Sequence, residues 1–308
     1  GRNCGHGWVR RPCPPWASGP PRHNAASSER FFSMSILDAA QTVLRRRYLF
    51  ARQQVRHLQA GVSYLSGRPL PETRFVLFGR GRSGTTALVS MLDDVPGLRC
   101  AGEVLHNYVP FPYRHILGRA AGCSAEAYGC KVLSYQIKDV QRPAGQRENF
   151  LRTLHHDHGF QVLYLRRDNL VCHALSNIRA RRETFHRKKS DPDGEPTALH
   201  VDPDRVMEWI RSSQALRRYE ETLLTDVPYL SLTYEEHIRH ADDHQTTVDL
   251  VCDVLGIASG PVESSYRKVA PASLRDRVAN YEELARRLDG TPYAKYLDED
   301  EGSNYASA

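Results

Sequence analysis

The chain has 308 residues, 40% of them hydrophobic and 25% charged. That suits one large α/β domain or two small ones, and it excludes a collagen-like or wholly disordered protein. No run approaches eighteen uninterrupted apolar residues, so no integral membrane segment is expected. The net charge of +6 invites a nucleic-acid partner, but five arginines and Glu29 fall in residues 1–33, leaving 37 basic and 35 acidic residues from Met34 onward. A body this close to neutral predicts no nucleic-acid binding.

Residues 1–33 hold five of the 18 prolines and two of the three tryptophans, with no periodic apolar pattern. They are expected to be a disordered leader or a non-native extension. A charged stretch followed by a continuous apolar core is missing, which argues against a secretory signal. In residues 34–70, Ile36, Ala40, Val43, Ala51, Val55, Leu58, Val62 and Leu65 recur at helical spacing up to Ser66, and Gly67 and Pro69 close the helix. That amphipathic helix is a candidate surface for homo-oligomer formation.

Residues 71–298 form the expected main domain, and 299–308 a flexible acidic tail. Strands are predicted at Arg74–Phe78, Tyr128–Leu133, Gln161–Leu165 and Tyr229–Leu232. Helices are predicted at Thr85–Leu92, Gln146–His155, Asn169–His186, Arg205–Leu224 and Thr247–Leu255. Strands alternating with helices imply crossover connections, hence an α/β fold on a largely parallel sheet flanked by helices. Arg187–Asp202 is a polar insertion of the kind that makes a surface loop or a substrate lid. Apart from Cys4 and Cys13 in the leader, five cysteines remain; the number is odd and the spacings are not those of a zinc site. Reduced thiols and a cytoplasmic location are therefore expected.

The chemistry concentrates after the first strand, in Gly79-Arg80-Gly81-Arg82-Ser83-Gly84-Thr85-Thr86. Glycines let the main chain approach an anion, the following helix start offers unpaired N–H groups, and Thr85 and Thr86 add hydroxyls. Arg80 and Arg82 add formal charge. The nucleotide-triphosphatase form of this loop needs lysine where Thr85 stands, which argues against ATP or GTP hydrolysis. Gly79-Arg80-Gly81-Arg82-Ser83-Gly84 also satisfies a dinucleotide fingerprint, with Glu103 available as its ribose-binding carboxylate. A phosphate-loop kinase or a nucleotide-binding protein without catalysis stays open alongside it.

Arg82-Ser83-Gly84-Thr85-Thr86 resembles the 5′-phosphosulfate loop of sulfotransferases that use 3′-phosphoadenosine 5′-phosphosulfate (PAPS). The resemblance implies a P-loop-like fold, PAPS as co-substrate, no metal, and Gly81 to Thr86 as binders of the 5′-phosphate. A single 5′-phosphate bearing sulfate would not require the missing lysine. Arg166-Arg167-Asp168-Asn169, running on to Ser176, is similar to the family's 3′-phosphate motif, which implies Arg167 and Ser176 on that phosphate. Ser176 lies nine residues after Arg167 and ten after Arg166, against the usual eight, so the choice of arginine is open. Tyr234-Glu235-Glu236, Lys131, and Tyr266-Arg267-Lys268 before Pro271 are shorter likenesses; Arg267 and Lys268 would close over the nucleotide.

Sulfuryl transfer also needs a group to take the acceptor's proton. Glu103 in Gly102-Glu103-Val104-Leu105 resembles the carboxylate general base of bacterial and glycan-acting members, with His106 as competitor and Arg82 stabilising the leaving phosphate. The resemblance implies in-line transfer to a hydroxyl or amine of a small-molecule, glycan or lipid acceptor.

Overall fold

A computed structural model describes residue 48 and residues 54–141, 148–186, 198–262 and 273–298. The expected leader, the acidic tail, most of the polar insertion, and Arg267 and Lys268 lie outside the described residues. Residues 54–65 are helical (α1), followed by β1 (Thr73–Gly79), α2 (Thr85–Asp93), β2 (Leu98–Glu103), α3 (Pro112–Ala121) and β3 (Ala127–Leu133). Then come α4 (Phe150–His156), β4 (Gln161–Arg166), α5 (Leu170–His186), α6 (Pro203–Leu224), β5 (Tyr229–Thr233) and α7 (Tyr234–His237). Helices α8 (His244–Leu255), α9 (Leu274–Arg277), α10 (Tyr281–Leu288) and α11 (Lys295–Asp298) complete the set.

The five strands form one parallel sheet in the order β2-β3-β1-β4-β5. Side chains alternate across β1 and divide the core. Val76 and Phe78 face α3, α4 and the end of α6. Phe75 and Leu77 face α2 and α8. A third apolar cluster, mostly helical, joins α5 and α6 to α9, α10 and Leu297 of α11, with Val201 and Val278 packed among them. Both faces of the sheet are covered, which is why the central strands are continuous apolar runs.

Four strands and the helices α2, α5, α6 and α8 lie within a few residues of their expected places. Strand β2 and helix α3 are additions. Strand β2 (Leu98-Arg-Cys-Ala-Gly-Glu103) pairs with β3 alone, so it needs no continuous apolar run. Helix α3 opens on a proline, which fits its first turn, and mixes polar with buried residues. The polar insertion ends differently from a free loop: Val201 is buried, and Leu199 bridges to Val278. Asp202 caps α6 by accepting from the N–H groups of Asp204 and Arg205.

Helix α1 docks on α3. The Cα of Gly118 lies so close to the Ala60 carbonyl that a β-carbon there would sit 1.9 Å from its oxygen. The rings of His57 and His115 meet edge-on at 4.8 Å. Burial pushes His115 down to about 4, with His57 and Arg119 adding repulsion. No helix among the described residues is long and apolar enough to cross a membrane.

Candidate functional site

The Gly79–Thr86 turn links the carboxyl end of β1 to α2. Gly79 is required by the neighbouring strand, since a β-carbon would lie 2.2 Å from the Leu165 oxygen. Gly84 has a φ of +85° and packs under Tyr234 and Ile238, where a β-carbon would approach to 2.8 Å. No side chain caps α2, so its first N–H groups stay available to an anion. Ser83 is fully buried and its Oγ has no hydrogen-bond partner among the described residues. Arg82 is exposed and held in the left-handed region at φ 67°, a conformation costly for a side-chain-bearing residue and concentrated at functional sites. The turn thus offers available N–H groups, an unpartnered Ser83 hydroxyl and an exposed guanidinium at its rim, the donor set an anion would need.

Arg80 corrects an expectation. Its side chain is only 1% exposed and turns behind the loop, with Nε 3.3 Å from a Glu220 carboxylate oxygen. Glu220 also accepts from Ser134 Oγ at 2.7 Å and from the Tyr164 hydroxyl at 2.8 Å. The Arg80 guanidinium further donates to the carbonyl oxygens of Ser213 and Arg167. A charge so enclosed supports the loop and cannot reach a ligand in front of it.

His173 of α5 clamps the same loop. Its Nε2 lies 2.8 Å from the Gly81 carbonyl oxygen and its Nδ1 3.1 Å from Ser213 Oγ. The carbonyl can only accept, so Nε2 carries the proton and Nδ1 accepts from the serine. Burial pushes His173 down to about 3, and Arg80, Arg167 and Arg82 add repulsion from three sides. His115 and His173 together predict acid sensitivity. The folded state holds both below the ordinary value near 6.5, so stability is full above that pH and is lost as the pH falls toward 4. The unfolding free energy should fall across that window by roughly several kcal/mol in total, and less steeply in His173→Gln. A flat profile from pH 6.5 to 4 would contradict the clamp.

The second arginine motif arrives beside the loop. Arg82 Nε donates to Ser176 Oγ on α5 at 3.2 Å. Arg167 is 8% exposed; its guanidinium stacks 4.3 Å from the Tyr234 ring centre and lies 3.9 Å from Glu235. Its Nε has no hydrogen-bond partner among the described residues. Arg166 instead pairs with Asp168 and donates to Ser231 at the sheet edge. Glu235 caps α5, accepting from the N–H groups of Asp168 and Asn169. Tyr234 and Glu235 therefore build the corner that holds Arg167.

Glu103 ends β2, where a register shift after Ala101 pairs it with Lys131 on β3. Its carboxylate accepts from Lys131 Nζ at 3.1 Å and from Gln136 Nε2 at 2.8 Å. His106 Nδ1 lies 3.3 Å away and the Tyr135 hydroxyl 3.5 Å. Lys131, 5% exposed, also donates to Thr86 Oγ1 on the phosphate-loop helix at 3.0 Å. A continuous polar path thus joins Glu103 to the start of α2. The strand order also weighs against a dinucleotide site, in which the second strand lies beside the first; here β3 separates them.

No family model matches the chain. Nodulation protein H of Rhizobium tropici is 23% identical over 256 residues, covering 76% of this chain and 96% of that protein. The chain is similar to that protein over most of both lengths. A solved structure of retinol dehydratase in complex with retinol and PAP aligns with 80% of this chain and 87% of its own, at 14% identity and a TM-score of 0.37.

The structure brings Arg82, Ser83, Ser176 and Arg167 into one neighbourhood and joins Glu103 to Thr86 through Lys131. Sequence reasoning missed His173, Glu220, Gln136 and the role of Tyr234. His173 lies on the face of α5 one turn before Ser176, a spacing that could have flagged it. Nothing local marks Glu220, one of four acidic residues in a long helix, beside Asp204, Glu208 and Glu221.

Proposed function

We propose that the protein transfers a sulfuryl group from PAPS to a hydroxyl or amine acceptor, with Glu103 as general base. The observation that carries this reading is the contact of Arg82 with Ser176: it sets the 5′-phosphate loop and the 3′-phosphate helix one hydrogen bond apart. A nucleotide bearing phosphates on both ends of one ribose fits that spacing. The orphaned Ser83 hydroxyl, the uncapped start of α2 and Arg167 Nε, which has no hydrogen-bond partner among the described residues, supply donors for two anions without a metal.

The chemistry is an in-line displacement at sulfur. The acceptor oxygen or nitrogen forms a bond to sulfur as the bridging bond from sulfur to the phosphate oxygen breaks. The departing electron pair stays on the 5′-phosphate, where Arg82 and the loop N–H groups stabilise it. The acceptor proton passes to Glu103, and Lys131 and Gln136 hold that carboxylate in place. Beyond Glu103 the chain exposes His106, Tyr108 and Phe111, polar and aromatic surface on which an acceptor can rest.

Titration calorimetry in excess chelator tests the reading. Adenosine 3′,5′-bisphosphate should bind, and adenosine 5′-monophosphate should bind more weakly. Arg167→Ala and Ser176→Ala should each narrow that difference, since a hydrogen bond to a charged group contributes roughly 1.5–3 kcal/mol. Transfer of the removed preference to Arg166→Ala would reassign the arginine and keep the motif. Preference for magnesium-ATP would favour a kinase and defeat the proposal.

A further inference from the structure

Two glutamines hold Glu103 and the segment that follows it. After β3 the chain turns through a π-helical stretch, Gln136–Val140, closed by the Gln141 N–H donating to the Gln136 carbonyl oxygen at 2.9 Å. Such turns are rare and concentrate at functional sites. Gln136 is fully buried; it accepts from the Leu133 N–H at 3.0 Å and donates to Glu103 at 2.8 Å. Gln141 is 4% exposed and directs its amide to the residues after Glu103. Its Oε1 accepts from the Val109 N–H at 2.9 Å, and its Nε2 donates to the carbonyl oxygens of Leu105 at 3.0 Å and Asn107 at 2.8 Å.

Residues 104–111 belong to no helix or strand, so no backbone ladder fixes their course. Val104, Leu105 and Val109 are buried, and His106, Asn107 and Tyr108 between them are exposed. The buried residues anchor the segment and the Gln141 amide ties it at three backbone groups. That course brings His106 Nδ1 to 3.3 Å from the Glu103 carboxylate. Tyr108 is two residues further on, which keeps its Cα within about 7 Å of that of His106. We infer that Gln141 is a positioning residue for the acceptor: through residues 105–109 it sets His106 and Tyr108 around the approach to Glu103, with Tyr108 as a contact that selects the acceptor.

The inference rests on the reading of Glu103 as the base of a sulfuryl transfer. An amide suits the task. Its two donors and its oxygen are engaged at once, and it carries no charge that burial would penalise. It exchanges no proton at neutral pH, so its part is to place other groups. Tyr108 offers a ring with a polar tip, the kind of side chain that contributes contact area at little conformational cost. The two glutamines divide the work: Gln136 holds the base, and Gln141 holds the segment an acceptor must pass to reach it.

Labelled PAPS with 2-naphthol, octyl β-glucopyranoside and tyramine, a phenol, a sugar hydroxyl and an amine, provides the assay. In Gln141→Met, kcat/KM for the acceptor should fall by about 100-fold, the loss that a small misplacement of a reacting group brings. Acceptor KM should rise, while donor KM and adenosine 3′,5′-bisphosphate affinity stay as they are. Tyr108→Ala, an exposed position where folding is not at stake, should raise acceptor KM by about 3- to 10-fold. A second readout needs no acceptor. Glu103→Gln should shift the His106 ring resonances in the otherwise unaltered protein and leave them in place in Gln141→Met, where His106 no longer stays beside the carboxylate. A glutamine that serves stability alone would lower the melting temperature and move neither acceptor KM per folded molecule nor the His106 response; that result would overturn the inference. Equal losses of donor and acceptor binding in Gln141→Met would overturn it too, as would an unmoved acceptor KM in Tyr108→Ala. A protein that binds no bisphosphate defeats the sulfuryl-transfer reading and this inference with it, whereas bisphosphate binding with an unmoved acceptor KM and His106 response defeats this inference alone.

Discussion

Glu103→Gln should lower turnover by roughly 10²–10⁴-fold, the usual contribution of a positioned acid–base group, while the bisphosphate product still binds with near-native affinity. Glutamine keeps the size of the side chain and one oxygen to accept from Lys131 or Gln136, but it cannot take a proton at neutral pH. Single-turnover kinetics with pre-bound donor should show the loss in the chemical step, separating it from a binding defect. A purely structural carboxylate would behave otherwise: the melting temperature would fall and turnover per folded molecule would be spared. His106→Gln is the paired measurement, because His106 Nδ1 lies 3.3 Å from the same carboxylate. If that variant is inactive and Glu103→Gln is active, the base is the histidine.

Arg80 and Arg82, two residues apart, should fail in opposite ways. Arg80→Met leaves Glu220 buried without its cation, and breaking one side of a buried pair costs about 3–5 kcal/mol. Burial already pushes the Glu220 carboxyl above its usual range. Removing Arg80 raises it further, so the variant's deficit should shrink as the pH falls and Glu220 becomes neutral. Urea denaturation at pH 7 and pH 5 measures both effects. Arg82→Ala should leave the urea midpoint nearly unchanged, because its side chain is exposed, and should weaken bisphosphate binding by about 10- to 150-fold. Unchanged nucleotide affinity in Arg82→Ala, together with a strong loss in Arg80→Met, would reverse the two assignments.

The contrast between these arginines marks where sequence reasoning stops. The strand, the glycine turn and the helix start are local features, set by backbone hydrogen bonding and by the conformations that Gly79 and Gly84 must adopt. They were legible at once, as were the four strands whose residues are buried on one or both faces. Strand β2 was not, because an edge strand with one partner can carry Arg99 and Glu103. Side-chain direction at Arg80 is a different matter. It is decided by Glu220, Ser134 and Tyr164, which approach from three other segments across the sheet.

The site divides in the same way. The sequence alone singled out the glycine turn as a candidate anion cradle and, through a resemblance, the arginine and serine of a second motif and a carboxylate after the loop helix, since each is short and local. Only the tertiary structure decided that Arg82 meets Ser176, that Glu235 caps α5 and Tyr234 holds Arg167, and that Lys131 and Gln136 bind Glu103. Parallel strands are joined by long crossovers, so the carboxyl ends of β1, β2, β3 and β4 converge in space while their residues stay dozens apart in sequence. Local periodicity reports which face of an element is buried; it carries no record of which distant side chain will fill the space opposite.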